Sequence, residues 1–256
     1  MNGARIAFLT ICAFAAMARP CFPQNLTIYC EENAPMQTMG ANGKPKGYAI
    51  EIVREAQRRI GNSDSIQMVP WARGYEEIKK KPNVALFSMG RTAEREELFS
   101  WVGPLFETNY AFYSRADSGP AASTLEEAKK AKTIGVILND VRDLYLTKAG
   151  FTNLLRVSDY ATLYRMLKAG RLDLAVGSLV NIGAQLEQAG VSPSEVRQRG
   201  IFLKAQLFVA FSKTTTPSVL EEWTKAIAAM KQDGSFERIF KRHFPDMPLP
   251  GPAATF

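Results

Sequence analysis

Two arginines, Arg91 and Arg95, lie four residues apart in the stretch SMGRTAERE, which follows an apolar run. Thr92 is a good N-cap residue, so the amides after it would point outward with the positive end of a helix dipole. Gly90 lets a ligand approach the backbone closely, and a nearby guanidinium matches a carboxylate with two parallel hydrogen bonds. The stretch therefore has the parts of an anion site, and the alternative is a charged first turn that is simply solvated.

The elements that position this stretch are predicted from strand and helix patterns, which alternate along the chain. NLTIYC has the pattern of a strand, and YAIEIVREAQRRIG that of a helix with one apolar face and a stop at Gly61. The alternation continues through SIQMVP, WARGYEEIKKK, NVALFSM and TAEREELF. Successive strand and helix units predict an α/β fold with a parallel sheet covered on both faces.

A second run of the same kind follows an extended segment, VGPLFETNYAFYSRADSGP, and begins with a capping box from Ser123 to Glu126. A second extended segment, GIFLKAQLFVAFSK, then leads to C-terminal helices. Two extended segments predict two crossings between two doubly wound lobes that share a two-strand hinge. The predicted boundaries are 25–112 with 203–256 for lobe 1 and 113–202 for lobe 2. The cleft between such lobes is the expected ligand site.

The composition and the N-terminus predict an exported globular protein. The chain has 256 residues, of which 46% are hydrophobic, and a net charge of +7. Residues 1–18 have the basic start, apolar stretch and Ala16-Met17-Ala18 cleavage site of a secretory signal peptide. Basic residues are scattered without an aromatic-interleaved patch, so a nucleic-acid partner is not expected.

Cysteine and histidine are too few for metal chemistry. Cys21 and Cys30 would both remain in an oxidising compartment after cleavage, where they could either pair or stay free. His243 is the single histidine and there is no CxxC pair, which argues against a metal site. We expect no cofactor.

The motifs resemble those of a known family. Ser88, Gly90, Thr92 and Arg95, followed by FSWVGPL, resemble the segment that clamps the ligand's α-carboxylate in periplasmic solute-binding proteins for polar amino acids, the family-three type. Similar matches in the same order are ENAPM with GKPKGYAIEIVREA, IGVILNDVRDLYL, GRLDLAVGS and AIAAMKQDGSFERIFKRHF. The resemblance covers nearly all of residues 25–245, and PWARGY with FSWVGP is similar to a large proteobacterial branch.

This resemblance implies a type II periplasmic binding protein fold and a periplasmic location. Such proteins close around a small solute and deliver it to the permease of an ABC transporter; we expect a monomer. By position, Arg95 would bind the carboxylate of the solute, with help from the Ser88 hydroxyl and the Gly90 amide. Arg91 falls outside the pattern and is expected at the surface.

Several positions depart from the family pattern. Asn139 and Asp140, with Arg142 two residues on, replace a Gly-Thr pair that donates to the carboxylate, and Asp140 would repel an anion. Ser178 stands where an acidic residue receives the α-ammonium group, and a serine cannot balance a buried positive charge. A bound α-amino acid would need another carboxylate, and the candidates are Glu31, Glu32 and Asp140.

The aromatic wall is also altered. Asn33 stands where an aromatic side chain often stacks on the ligand, which leaves Trp71 to supply an apolar wall or to belong to the core. Tyr75 can share a helical face with Trp71. We therefore expect a solute that carries a carboxylate but need not be a standard α-amino acid.

Two alternatives to a transport role remain open. One is a sensory module that acts through a separate membrane partner. The other is an enzyme similar to cyclohexadienyl dehydratase, with an acidic residue as general acid. Since no nucleophile–base pair, phosphate loop or metal cluster supports catalysis, a binding protein is expected rather than an enzyme.

Overall fold

A computed structural model describes residues 25–254, so the predicted signal peptide and Cys21 lie outside the described residues. The strands are β1 (Thr27–Cys30), β2 (Thr38–Met39), β3 (Pro45–Lys46), β4 (Ile66–Met68), β5 (Val84–Gly90), β6 (Phe99–Arg115), β7 (Ile134–Ile137), β8 (Leu154–Val157), β9 (Leu174–Ser178) and β10 (Val196–Ser212). The α-helices are α1 (Tyr48–Ile60), α2 (Trp71–Lys80), α3 (Ala93–Glu96), α4 (Leu125–Ala128), α5 (Val141–Lys148), α6 (Tyr160–Lys168), α7 (Ile182–Ala189), α8 (Pro217–Gln232) and α9 (Ser235–His243).

Eight of these strands form one mixed sheet in the order β4-β1-β5-β10-β6-β9-β7-β8. The outer strands are parallel within each half: β1 pairs in parallel with β4 and β5, and β7 pairs in parallel with β8 and β9. The two central strands, β6 and β10, are 17 residues long and antiparallel to each other. They join a first lobe, built on β1, β4 and β5, to a second lobe, built on β7, β8 and β9.

The apolar face that the sequence predicts for α1 packs in the core of the first lobe. Ile52, Val53 and Ala56 are fully buried on that face, and the helix ends at Gly61, whose φ of 69° favours glycine. The C-terminal helices α8 and α9 complete this core, which is distinct from a smaller core in the second lobe. An apolar face on each element thus fixes which helices cover which half of the sheet.

The predicted lobe boundaries fall inside the two long strands. The first part of β6 pairs with the last part of β10, from Phe99 with Ser212 onward, and Tyr110 to Tyr113 also pair with β9. Both strands therefore belong to both halves of the sheet. The boundary after residue 112 and the one before residue 203 divide the chain within these strands.

The cap of α4 lies one residue later than predicted, and the predicted capping box from Ser123 to Glu126 is not formed. Thr124, not Ser123, is the N-cap of α4, and its Oγ1 accepts a hydrogen bond from the Glu127 amide at 3.2 Å. The Glu127 carboxylate accepts from the Ser123 amide at 2.7 Å. The sequence STLEE offers two overlapping choices of cap, and the structure selects the second.

Two further features concern the helices and the cysteine at position 30. Within residues 25–254, none of the helices combines the length and the apolar character that a membrane crossing needs. Cys30 is a buried free cysteine at the end of β1, and burial, with the charges of Glu31 and Glu32, raises its pKa to about 12.

Candidate functional site

One small cavity between the lobes brings together seven of the eight residues that the sequence singles out. Its volume is about 10 Å³, which is room for about one water molecule. The predicted residues that line it are Asn33, Trp71, Ser88, Gly90, Asp140, Arg142 and Ser178. Glu31, Tyr110, Val141, Asn181 and Leu207 complete the lining. The lobes are therefore closed on each other at this point.

The topology explains why residues so distant in sequence meet here. Ser88 and Gly90 lie at the carboxyl end of β5, and Ser178 lies at the carboxyl end of β9. Asp140 and Arg142 follow β7 at the start of α5. Because ligands of open α/β sheets bind outside the carboxyl ends of the strands, this edge is the expected place for a site.

Arg95, the eighth predicted residue, is 1% exposed and lies beside this cavity. Its Nη1 donates to the Gly90 carbonyl at 3.0 Å, and its guanidinium lies over the rings of Trp71 and Tyr75, with centroids at 5.7 and 4.9 Å. Within residues 25–254, its Nε has no hydrogen-bond partner and no carboxylate lies within ion-pair distance of it. Arg95 is thus a buried cation held by neutral groups.

A single oxygen of the second lobe receives two donors from the first. Arg95 Nη2 and Trp71 Nε1 both donate to the Asn139 carbonyl, at 2.9 and 3.0 Å. Trp71 is 3% exposed and packs at 6.0 Å from Tyr75, so it serves both the core and the cavity wall. The closed state therefore places a carbonyl oxygen where a guanidinium and an indole N–H converge.

Asp140 and Arg142 form a buried ion pair on the second lobe. Asp140 Oδ1 accepts from the Arg142 amide at 2.8 Å and from Arg142 Nε. Arg142 Nη2 donates to the Tyr160 hydroxyl at 2.5 Å, and its guanidinium lies over the Tyr110 ring. Burial alone would raise the pKa of Asp140, but the charge and hydrogen bonds of Arg142, with the charge of Arg95, hold this pKa below its usual range. The negative charge expected to repel an anion is thus balanced within the site.

Glu31 is the other carboxyl group of the cavity and comes from the first lobe. It is 7% exposed, and its Oε1 accepts from Asn33 Nδ2 at 3.3 Å and from the Tyr160 hydroxyl at 3.5 Å. Burial and then the charge of Asp140 raise the pKa of Glu31 to about 8, against the opposing effects of Arg142, Tyr160 and Asn33. From the sequence Glu31 is only one of three candidate carboxylates; the exposed Glu32 beside it carries the same chemistry.

The hydroxyl groups of the two predicted serines are engaged within the protein. Ser88 has a positive φ of 60°, and its Oγ donates to Gln37 Oε1 at 3.0 Å. Ser178 is buried, and its Oγ lies 2.8 Å from Thr108 Oγ1. The position that the resemblance assigns to an acidic residue therefore carries a neutral, hydrogen-bonded side chain.

Asn33 connects the lobes. Its Oδ1 accepts from Asn181 Nδ2 at 2.9 Å and from Gln185 Nε2 at 2.8 Å, and Asn181 Nδ2 also donates to the Ala34 carbonyl at 2.9 Å. Sequence reasoning missed Asn181 and Gln185. Asn181 precedes α7 and Gln185 lies on it. Nothing in their residue types or spacing predicts that they contact Asn33, because this contact depends on how the two lobes pack together.

A larger cavity of about 450 Å³ lies on the hinge side of Arg95. Its walls include apolar side chains of α5 and β10, such as Leu144 and Leu203. Its acidic groups are paired: Glu94 with Lys148, and Glu107 with Lys204. The convergent polar groups that would orient a polar solute are concentrated in the small cavity instead.

Comparison with known proteins shows the family of this chain. Residues 26–246 match the model for bacterial extracellular solute-binding proteins, family 3. The histidine-binding periplasmic protein of Escherichia coli (strain K12) is 22% identical over 248 residues, which cover 91% of this chain and 90% of that protein. ABC transporter arginine-binding protein 1 of the same strain is 23% identical over 221 residues, or 82% and 86% of the two chains.

A solved structure confirms the predicted fold. A histidine kinase sensor domain with similarity to periplasmic binding proteins superposes with a TM-score of 0.79, at 19% identity, and covers 88% of this chain and 98% of that domain. At this identity the likeness concerns the fold alone. The fold is that of type II periplasmic binding proteins, with two α/β lobes joined by two crossing strands.

Proposed function

Since the chain belongs to the bacterial extracellular solute-binding proteins of family 3, we propose that it captures a small solute bearing a carboxylate in the cleft between its lobes. We further propose that it works in the periplasm and delivers this solute, an amino acid or a related compound, to the permease of an ABC transporter. The relatives named for histidine and arginine binding support a solute of this class.

The convergence of Arg95 and Trp71 on the Asn139 carbonyl carries this proposal. A guanidinium and an indole N–H aimed at one oxygen bind a carboxylate more strongly than a neutral carbonyl, because a hydrogen bond to a charged acceptor is about twice as strong. In the closed cleft the chain supplies that oxygen itself. A carboxylate of the solute would take the place of the carbonyl.

The size of the cavity implies that the solute enters an open form. A space for about one water cannot admit an amino acid, so the contacts between Asn139 and the first lobe must break first. Contacts of the solute with both lobes would then favour closure, which shifts the population toward the form that a partner recognises. Ser88 and Gly90 line the same cavity and are proposed to assist Arg95.

A thermal-shift screen tests this proposal. The probes are the common L-amino acids, the carboxylic acids with the same side chains but no amino group, and the amides that lack the carboxylate. We expect the wild type to be stabilised by at least one carboxylate probe and by none of the matched amides. Arg95→Lys keeps the charge but loses the planar pair of donors, so the shift should fall by more than half.

Arg73→Ala is the matched control, because Arg73 is exposed on α2 and lies two residues after Trp71, on a different face of the helix. Its shift should equal that of the wild type, and the ligand-free midpoints of both variants report whether they fold. Equal stabilisation by the amide probes, or an undiminished shift in Arg95→Lys, would contradict the proposed carboxylate site.

A sensory role is the second candidate. The fold likeness to a histidine kinase sensor domain favours it, whereas the relatives named above are binding proteins. The same relatives point away from an enzyme. Recovery of the bound probe intact after incubation, checked by mass spectrometry, is the outcome expected of a binding protein.

A further inference from the structure

Two carboxyl groups of the cavity each have an oxygen without a partner. Glu31 comes from the first lobe and Asp140 from the second, and they are 7% and 6% exposed. The hydrogen bonds of Glu31 all go to Oε1, and those of Asp140 all go to Oδ1. Within residues 25–254, Glu31 Oε2 and Asp140 Oδ2 therefore accept no hydrogen bond.

Among the described residues, the two carboxyl groups have only one cation in ion-pair contact between them, so a second cation could bind here. Arg142 pairs with Asp140, and the described residues supply no second cation in ion-pair contact with either carboxyl group. Arg95 acts on Asp140 through its charge, but its hydrogen bonds go to carbonyl oxygens. Neither oxygen is among the fully buried unpartnered atoms of the described residues, so both are accessible to a charged donor from the space that these residues line.

The rest of the lining offers no other charged acceptor for a cation among the described residues. Trp71 and Tyr110 line the cavity, and their rings already contact the guanidinium groups of Arg95 and Arg142. Ser178 lines it too but is neutral and bonded to Thr108. The positive group of a solute thus has acceptors at Glu31 and Asp140 and none that is charged at residue 178.

We propose that the cleft binds a zwitterion whose ammonium group lies between Glu31 of the first lobe and Asp140 of the second. This cation site rests on the proposed function and adds the second charged group of the solute to the carboxylate that Arg95 would bind. Because the two carboxyl groups belong to different lobes, the ammonium group would also hold the lobes together.

Binding of an ammonium group at this site is coupled to the release of a proton from Glu31. Glu31 faces Asp140 and Arg142 at the start of α5 and Tyr160 on α6, with Cys30 and Glu32 beside it on its own segment. With a pKa of about 8, Glu31 is protonated in most empty molecules at pH 7. An ammonium group requires the ionised form, so a proton leaves as the solute binds, and the affinity should rise about tenfold per pH unit between pH 6 and pH 7.5 and level off above pH 8.

Isothermal titration with an amino acid that the screen identifies, and with its deaminated acid, tests this site. The wild type should bind the amino acid at least tenfold more tightly than the acid at pH 8, and should release close to one proton at pH 6, measured in two buffers of different ionisation enthalpy. In Glu31→Gln the affinity at pH 8 should fall at least tenfold and its dependence on pH should vanish. Glu187→Gln, on the exposed face of α7, should behave as the wild type does.

The outcomes separate the two proposals. Equal affinity for the amino acid and the deaminated acid, or binding without proton release, overturns the cation site. If the deaminated acid binds the wild type as tightly as the amino acid does, and binds Arg95→Lys less tightly, the carboxylate site stands while the cation site falls. If no probe of the panel binds, both are overturned. Since proton release is measured on the wild type, a folding defect of Glu31→Gln does not obscure the result.

Discussion

Burial gives the two carboxyl groups of the cavity opposite properties. Asp140 has Arg142 as an ion-pair partner, which keeps it ionised, whereas Glu31 has only neutral hydrogen-bond donors and a like charge close by. At the scale of single residues, the site is thus a balanced pair beside a carboxyl group whose charge is not balanced. Such an arrangement costs stability, as expected where a site awaits a ligand.

We predict opposite pH dependences for two variants without ligand. The pKa of Glu31 is raised from 4.5 to about 8, so the native state holds this proton more firmly and Glu31 costs stability as the pH rises through that window. Relative to the wild type, Glu31→Gln should gain on the order of 3 kcal/mol between pH 5 and pH 8. The free energy of unfolding from urea titrations at both pH values is the measurement.

Asp140→Asn should show the reverse sign. A lowered pKa means that ionised Asp140 stabilises the native state above its unfolded pKa, and that this contribution is lost in acid. Its replacement also leaves Arg142 buried without a partner, for a cost of about 3 kcal/mol at pH 7. Since Asp140 titrates below pH 5 in both the folded and the unfolded state, urea titrations between pH 2 and pH 5 measure this slope, and the deficit of Asp140→Asn relative to the wild type should shrink as the pH falls. A deficit that stays constant over that range would contradict this description of the cavity.

The two arginines of SMGRTAERE show how much of a single residue's environment can be predicted from the sequence. Sequence reasoning separates Arg95 from Arg91 and predicts Arg95 as a ligand residue; Arg95 is buried beside the small cavity, and its role in binding stays a prediction. It is wrong about Arg91, which is half-buried, forms an ion pair with Glu96 and lies 5.2 Å from the centroid of the Phe208 ring. That ring belongs to β10, more than one hundred residues later, and no local pattern reveals it.

Elements with a strong apolar face are the part that the sequence predicts best. The helices α1, α8 and α9 follow their apolar stripes, and the two extended segments become β6 and β10. The start of α4 is less certain from sequence, because Ser123 and Thr124 are both good caps and each has a glutamate three residues later. A cap is decided by backbone geometry that the residue types do not determine.

We predict that the cap of α4 can be assigned by mutation. Thr124→Ala removes the acceptor of the Glu127 amide and should lower the free energy of unfolding by about 1 kcal/mol. Ser123→Ala, the neighbouring exposed control, should change it by less than about 0.5 kcal/mol. A larger loss in Ser123→Ala than in Thr124→Ala in urea titration would restore the original assignment.

For the whole molecule, the decisive feature is the polar interface between the two closed lobes. The side chains of Asn181 and Gln185 reach Asn33 from the second lobe, and Asn139 receives donors from the first. Sequence reasoning predicts the two lobes and the residues at their facing edges. It does not predict which of these residues bond to each other, because that depends on how the lobes meet.

We expect this interface to set the balance between open and closed forms. Asn181→Ala removes two hydrogen bonds of 2.9 Å between lobes. At about 1 kcal/mol each, their loss should shift the ratio of closed to open molecules roughly 30-fold toward the open form. Small-angle X-ray scattering without ligand should show a larger radius of gyration.

Asn153→Ala is the control for this prediction. Its amide donates to the Ala131 carbonyl within the second lobe, so it should alter stability but not the radius of gyration. If both variants scatter as the wild type does, these hydrogen bonds do not hold the lobes together.

The central claim, that this cleft captures a carboxylate-bearing solute through Arg95, is tested most directly by native mass spectrometry of protein purified from the periplasm. The wild type and Arg73→Ala should each carry one small molecule per chain, and tandem fragmentation should show a carboxylate and an amine in it. Arg95→Ala, confirmed as folded by its circular dichroism, should be isolated empty. Retention of the same molecule by Arg95→Ala, or a bound molecule that lacks a carboxylate, would contradict the claim.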